Sequence, residues 1–382
     1  MAVEVRKVAP YPAASSDRPR RSGARAMARA DIPAVARLFN RAFRRRESQP
    51  GDELVRYLEA VFLGSPGYAP EHGSVVHEND TGGIDSAMLS LPMEFTFRDR
   101  RIVGRLLCAF MVDGKTGAAG AARLARSLRA TRQELCFSDN ASPVSADHCV
   151  AGGGIVLPVQ SLEWQRFFRP FAGAAIVAGG RFPLLRSRLL AAALRPLDRL
   201  LRRWSPSVMP ARAPGCRTRT ASLDEFLGCA GPMLQRFSLR PAWSKREFDW
   251  LVGVASLNRS LGALQCRKVE EDGRTIGAFL FFGRPNHMAT VLNVLCEEGR
   301  EFDVIAEMFA HLDGEGYAAA VGMAQPFLMN AISRQRWLSF RHRGYFCFIT
   351  RHADLRQAAE RNDIYVGGLA SESWSRLLTD FF

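Results

Sequence analysis

Residues 84–97 and 101–112 are two long runs of strand-forming character separated only by the polar turn Arg98-Asp99-Arg100. The second leads directly into Asp113-Gly114-Lys115-Thr116-Gly117-Ala118-Ala119-Gly120-Ala121-Ala122-Arg123. An antiparallel hairpin followed by a small-residue loop and a helix restricts the fold to a sheet crossed by helices, the α/β class. The loop also carries chemistry. Backbone N–H groups reach a phosphate only where side chains are small, and a helix behind them adds unsatisfied donors and the positive end of its dipole. Gly114, Gly117 and Gly120 supply the small positions and Lys115 a charge. The same residues also read as a glycine-containing turn before an Ala-rich packing helix.

The surroundings favour the phosphate reading. Asp31-Ile32-Pro33 opens a helix with Asp as N-cap and Pro in the first turn, and Ile32, Val35, Leu38 and Phe39 keep helical spacing. A second helix is expected at about 52–62 and a strand at 73–78; after the loop come a helix over 118–130 and a short apolar strand over 134–139. In this order, over roughly residues 24–172, the chain resembles the GNAT superfamily of CoA-dependent acyltransferases. Residues 24–43 are similar to that family's first strand and helix. The loop matches its Gln/Arg-x-x-Gly-x-Gly/Ala signature through Gly120 and Ala122, with Gly117 where Gln or Arg is usual, so pyrophosphate contacts would fall to backbone amides and Lys115.

The resemblance implies an α/β (α+β) fold with a mixed, mainly antiparallel sheet flanked by helices. It also implies acetyl-CoA or another acyl-CoA as a substrate, held by Phe110, Met111, Val112, Lys115, Gly117, Ala118, Gly120, Ala121 and Ala122, and no metal. In such enzymes the acyl thioester lies between the fourth and fifth strands, and the amine of a small molecule or peptide attacks it directly. The candidates for proton transfer are Glu94 on the third strand, Asp139 with Ser138 at the end of the fifth, and His148 beyond it. The family often uses a Tyr as acid, and none occurs between Tyr68 and Tyr317. Glu94 also reads as a solvent-facing strand residue between Met93 and Phe95, and Asp139 as the cap of the next helix. His148-Cys149 reads as an extended segment whose neighbours face opposite ways, against a catalytic pair.

After a Pro-rich hinge at 205–214 the pattern restarts. A strand at 217–220 precedes a capping box, Ser222 with Glu225, and a second helix is expected at 244–256. Strands at 263–270, 275–283 and 288–296 follow, the first two joined by Glu271-Asp272-Gly273-Arg274, then a helix at 301–315 and a strand at 318–323. This is a second unit of the same order. Its strand-to-helix loop holds one glycine and the carboxylates Glu297, Glu298 and Glu301, which would repel a pyrophosphate. The expected organisation is a basic tail at 1–23, dispensable for folding, a first unit at 24–172 that binds acyl-CoA, a basic helical linker at 173–214, and a second, CoA-free unit at 215–382.

The net charge of +14 is concentrated in two places. Residues 1–30 carry seven Lys or Arg against Glu4 and Asp17, and residues 181–203 seven Arg against Asp198. The remainder is near neutral, which argues against a sequence-specific nucleic-acid binder. The 181–204 segment has leucines at helical spacing with arginines between them and is broken by Pro196. It reads as a strut whose leucines pack on both units, or as a helix lying on an anionic membrane surface. The eight cysteines include no Cys-x-x-Cys pair and the seven histidines are dispersed, against a zinc site or a disulfide framework. No run of about 18 apolar residues and no secretory leader is evident, so a cytoplasmic protein, free or at a membrane surface and monomeric or dimeric, is expected. Besides an acyltransferase, the chain reads as a catalytically silent scaffold of the same fold, a peripheral membrane protein, or an aminoacyl transferase of the FemABX kind.

Overall fold

The computed structural model describes residues 23–114, 117–179 and 188–379, with the backbone alone over 188–192. The basic tail at 1–22 and Lys115 lie outside the described residues.

The first unit runs β1 (Gly23–Ala26), α1 (Ile32–Phe39), α2 (Asp52–Phe62), β2 (Val75–Glu78), β3 (Ile84–Phe97), β4 (Arg100–Val112), α3 (Ala118–Ser127), β5 (Leu135–Ala141), α4 (Pro143–Ala151), β6 (Ile155–Leu157) and β7 (Leu162–Phe167). Two helices follow, α5 (Pro170–Gly179) and α6 (Arg188–Trp204). The second unit repeats the series as β8 (Cys216–Thr220), α7 (Leu223–Leu234), β9 (Leu239–Pro241), α8 (Lys245–Ala255), β10 (Ala263–Glu271), β11 (Arg274–Gly283), β12 (Met288–Cys296), α9 (Glu301–Gly314) and β13 (Ala319–Met323). The chain closes with α10 (Met329–Ser333), β14 (Leu338–His342), β15 (Tyr345–Ile349), α11 (Ala353–Glu360) and an irregular segment.

Local chemistry accounts for these boundaries. The β3–β4 hairpin turns at Arg98-Asp99, and β10–β11 turns at Asp272-Gly273, where φ is 49° and 82°, the left-handed values a two-residue hairpin needs. Ser222 Oγ accepts from the Glu225 amide at 3.1 Å, and Glu225 accepts from the Ser222 amide at 2.7 Å, completing the capping box that starts α7.

Two mainly antiparallel sheets result, with helices against them. The first has the order β1-β2-β3-β4-β5-β15-β6, with β9 on β3; the second has β14-β7-β13-β12-β11-β10-β8. The units trade strands: β15, from the end of the chain, pairs with β5, and β7, from the first half, pairs with β13. A single apolar core joins them, in which Leu58, Leu91 and Phe137 belong to the same cluster as Phe248, Leu280 and Leu295.

The basic helix differs from both the break and the strut expected of it. α6 continues through Pro196, which is exposed. Leu197, Leu200 and Trp204 are 46%, 53% and 80% exposed. Leu194 and Leu201 are half-buried, and polar contacts add to the hold: Asp198 accepts from the Phe171 and Ala172 amides at 2.9 and 3.1 Å, capping α5, and Arg202 pairs with Asp313 at 2.6 Å. The side chain of Leu190 lies outside the described residues.

The units are bridged by the last part of the chain. Residues 364–372 are buried throughout. The Asn293 side chain donates to the Tyr365 hydroxyl and the Gly367 carbonyl and accepts from the Leu369 amide, while Tyr57 of α2 donates to or accepts from Ser375 at 3.3 Å.

Candidate active site

β4 and β5 run parallel, yet they pair over only three positions, from Gly104 with Leu135 to Leu106 with Phe137. Just beyond, β4 carries a bulge. Leu107 lies opposite Ser90 and Ala109 opposite Leu89, so Cys108 has no partner across the ladder. An extra residue in one strand bends it and re-aims its side chains. The two strands then diverge, β4 staying with β3 while β5 pairs with β15.

A cavity of about 210 Å³ occupies this splay. Its walls are mostly apolar: Phe39 and Phe43 from the α1 end, Phe110 from β4, Leu128 after α3, and Leu377 from the last turn of the chain. Cys108, Ser138, Cys149, His148 and Glu372 supply its polar groups.

A carboxyl pair sits at the inner end. Asp139 is 0% exposed and Glu372 1%. Asp139 Oδ2 accepts from the Glu372 amide at 3.3 Å, the Ser373 hydroxyl at 3.3 Å and the Arg343 guanidinium at 3.4 Å. Asp139 Oδ1 and Glu372 Oε1 are both buried and have no hydrogen-bond partner among the described residues. Burial pushes the Glu372 carboxyl well above the usual carboxylate range; the charge of Asp139 adds to this, and Arg343 and a hydrogen bond with Cys108 oppose it. Burial likewise pushes up the Cys108 thiol. A carboxyl whose proton affinity is raised by burial is a stronger base once ionised and a proton donor once protonated.

No family model matches the sequence, and no curated protein matches it. Solved structures do. A conserved protein of unknown function from Enterococcus faecalis, described as a probable N-acyltransferase, matches with a TM-score of 0.53 and 11% identity over 87% of this chain and 73% of that one. A GCN5-related N-acetyltransferase from Anabaena variabilis matches with a TM-score of 0.53 and 9% identity over 86% and 72%. The chain has the GNAT fold.

In this GNAT fold the residues singled out from sequence fall into three groups. Phe110, Asp139 and His148 come together at the splay, Phe110 and His148 lining the cavity and Asp139 beneath it. His148 and Cys149 belong to α4 and not to an extended segment, and both line the cavity. Asp139 does not cap α4; Ser142 does, accepting from the Ser145 amide at 3.2 Å. Glu94 is not brought to the cleft. It pairs with Arg101 at 2.8 Å on the half-exposed outer end of the hairpin, where its amide donates to Glu247.

The loop residues form the third group. Ala118 and Ala122 are exposed and Ala121 half-buried on α3, while Met111 is buried and Val112 half-buried at the end of β4. Gly117 and Gly120 also have to be small for packing. A Cβ on Gly120 would lie 2.5 Å from His77 Nδ1 and Ser86 Oγ, and one on Gly117 2.5 Å from the Asp85 carbonyl. These glycines let α3 settle on β2 and β3, over the hydrogen-bonded pair His77–Asp85 at 2.8 Å. Gly120→Ala is therefore expected to destabilise the protein by about 1–3 kcal/mol through overpacking, measured by chemical denaturation. An unchanged midpoint would contradict this packing.

In sequence Glu372 belongs to Glu372-Ser373-Trp374, a polar and aromatic stretch that reads equally as a pocket lining or as the packing of a chain end, with nothing to mark a catalytic group. It lies 233 residues from Asp139 in a polar stretch without periodicity, and only the return of the chain through the core brings the two together.

The second unit shows the same device in a closed form. β12 carries a bulge at Leu292, since Leu280 faces Asn293 and Phe281 faces Val291, and β12 pairs with β13 only from Met288 to Val291. Here Asn293, beside the bulge, binds residues 365–369 of the chain itself. The acidic loop is engaged in ion pairs, Glu297 with Arg274 at 2.7 Å and Glu301 with Arg236 at 2.6 Å.

Proposed function

We propose that the protein is an N-acyltransferase that moves the acyl group of an acyl-CoA, acetyl-CoA or a longer one, to the amine of a small molecule or peptide in the β4–β5 cleft of its first unit. The observation that carries this reading is Glu372, a buried carboxyl that lines an apolar cavity between splayed parallel strands and whose amide donates to the buried Asp139.

The chemistry follows from that placement. The amine nitrogen attacks the thioester carbonyl carbon, the C–S bond breaks and CoA leaves as a thiolate. Glu372, as carboxylate, accepts the proton that the amine must lose, and as carboxylic acid it returns a proton to the sulfur, so no charge accumulates in the cleft. Asp139 acts on Glu372 by holding its backbone and raising its proton affinity, which makes it a positioning residue. Apolar walls exclude the water that would hydrolyse the thioester. In this reading the first turn of α3 offers backbone N–H groups to the pyrophosphate; the small, exposed Ala118 and Ala119 leave room for it.

The second unit serves as a scaffold in this reading. Its equivalent splay holds residues 365–369, and its loop carboxylates disfavour a pyrophosphate even when paired. Isothermal titration with acetyl-CoA and longer acyl-CoAs should give one site per chain. Ala119→Glu, which places a carboxylate in the first turn of α3, should weaken binding by about tenfold or more with an unchanged melting temperature. Two equivalent sites, or no binding of any acyl-CoA, would overturn the assignment.

A further inference from the structure

We infer that the outer face of α6 is a docking surface for an anionic lipid bilayer, on which the protein sits peripherally. Ala193, Leu197, Leu200 and Trp204 recur at the spacing of one helix face, within an arc of about 60° at 100° per residue. All four are exposed, Trp204 to 80%.

Charge selects the occupant. Arg203, Arg199 and Arg195 are exposed and form a row that starts about 60° from the apolar stripe, at Arg203, and runs round the helix away from it. The acids of this corner are already engaged, Asp198 in capping α5 and Asp313 in holding Arg202 and Arg169. A stripe of Leu and Trp bordered by unneutralised arginines matches the boundary between acyl chains and acidic headgroups. It does not match a globular core, in which three arginines would need acids. No helix among the described residues is long and apolar enough to cross a membrane, so contact would be from one side only.

The test is flotation of the full chain with vesicles of phosphatidylcholine, with and without phosphatidylserine. The protein should float with the anionic vesicles, lose this as salt is raised, and stay behind with the neutral ones. Leu197→Glu/Leu200→Glu/Trp204→Glu should abolish flotation, and each of Arg195→Glu, Arg199→Glu and Arg203→Glu should weaken it on the order of fivefold. Because these side chains face solvent, the melting temperature should not change, which separates loss of docking from misfolding. Failure to float with anionic vesicles at low salt would overturn the inference, as would equal flotation with neutral ones. A concentration-dependent dimer in sedimentation velocity that the apolar triple variant abolishes would also overturn it, by giving the face to a second copy of the chain. None of these outcomes depends on acyl transfer.

Discussion

Replacing Glu372 by Gln is expected to lower kcat/KM for acyl transfer by about 10²–10⁴-fold, the range by which a positioned proton acceptor contributes. Gln keeps the shape and the backbone bond to Asp139 but cannot take a proton from the amine. The pH profile separates this role from mere packing. Glu372 holds its proton well above the usual carboxylate range, so wild-type activity should rise as pH increases through that raised value, and the variant should lack this limb. Stability should move the other way. Between the unfolded and folded values the native state binds the extra proton, so wild-type stability falls as pH rises, and the variant should show a flatter dependence. Thiol release from acyl-CoA checks the first expectation and urea denaturation at several pH values the second. An unchanged kcat/KM would remove Glu372 from the chemistry.

Much of the fold was legible in local signals because those signals act locally. Asp272-Gly273 adopts the left-handed turn it requires, Ser222 and Glu225 form their capping box, and the hairpin 84–112 closes at Arg98-Asp99. The repeated order of elements was visible for the same reason. The exchange of β7 and β15 was not, since a short apolar run such as Phe346-Cys347-Phe348 carries strand propensity but no mark of the strand it will join. Alternation likewise gave no warning of the bulge at Cys108, which is a matter of register between strands. Half of the candidate site could be named in advance. Asp139, Phe110 and His148 follow from the end of β5 and its neighbours, whereas Glu372 arrives from a segment whose course is set by contacts with Asn293 and Tyr57. At Gly120 the sequence did not show that the missing side chain also serves helix packing, a contact set by the sheet beneath it.

Gly368→Ala is expected to cost about 2–4 kcal/mol of stability and to impair acyl transfer as well, because Gly368 seats the segment that carries Glu372. Its φ is 58°, a left-handed conformation that L residues rarely adopt. The space is also closed: an added Cβ would lie 2.3 Å from the Leu292 carbonyl and from Asn293 Oδ1. The first of these is backbone at the β12 bulge and cannot swing aside, and the second belongs to the side chain that fixes Gly367 and Leu369. Gly316→Ala supplies the comparison, since Gly316 has a φ of 88° with nothing within 4 Å of its Cβ position, so the change there meets only the backbone preference, about 1–2 kcal/mol. The excess loss at 368, read from denaturation midpoints of the two variants, measures the contact between the returning segment and the second unit. If that segment positions the catalytic carboxyl, folded Gly368→Ala protein assayed well below its melting temperature should retain acyl-CoA binding and lose kcat, whereas Gly316→Ala should retain both. Equal losses of stability at the two positions would mean that residues 365–369 are not seated against Leu292, and the path that brings Glu372 to Asp139 would fail with them.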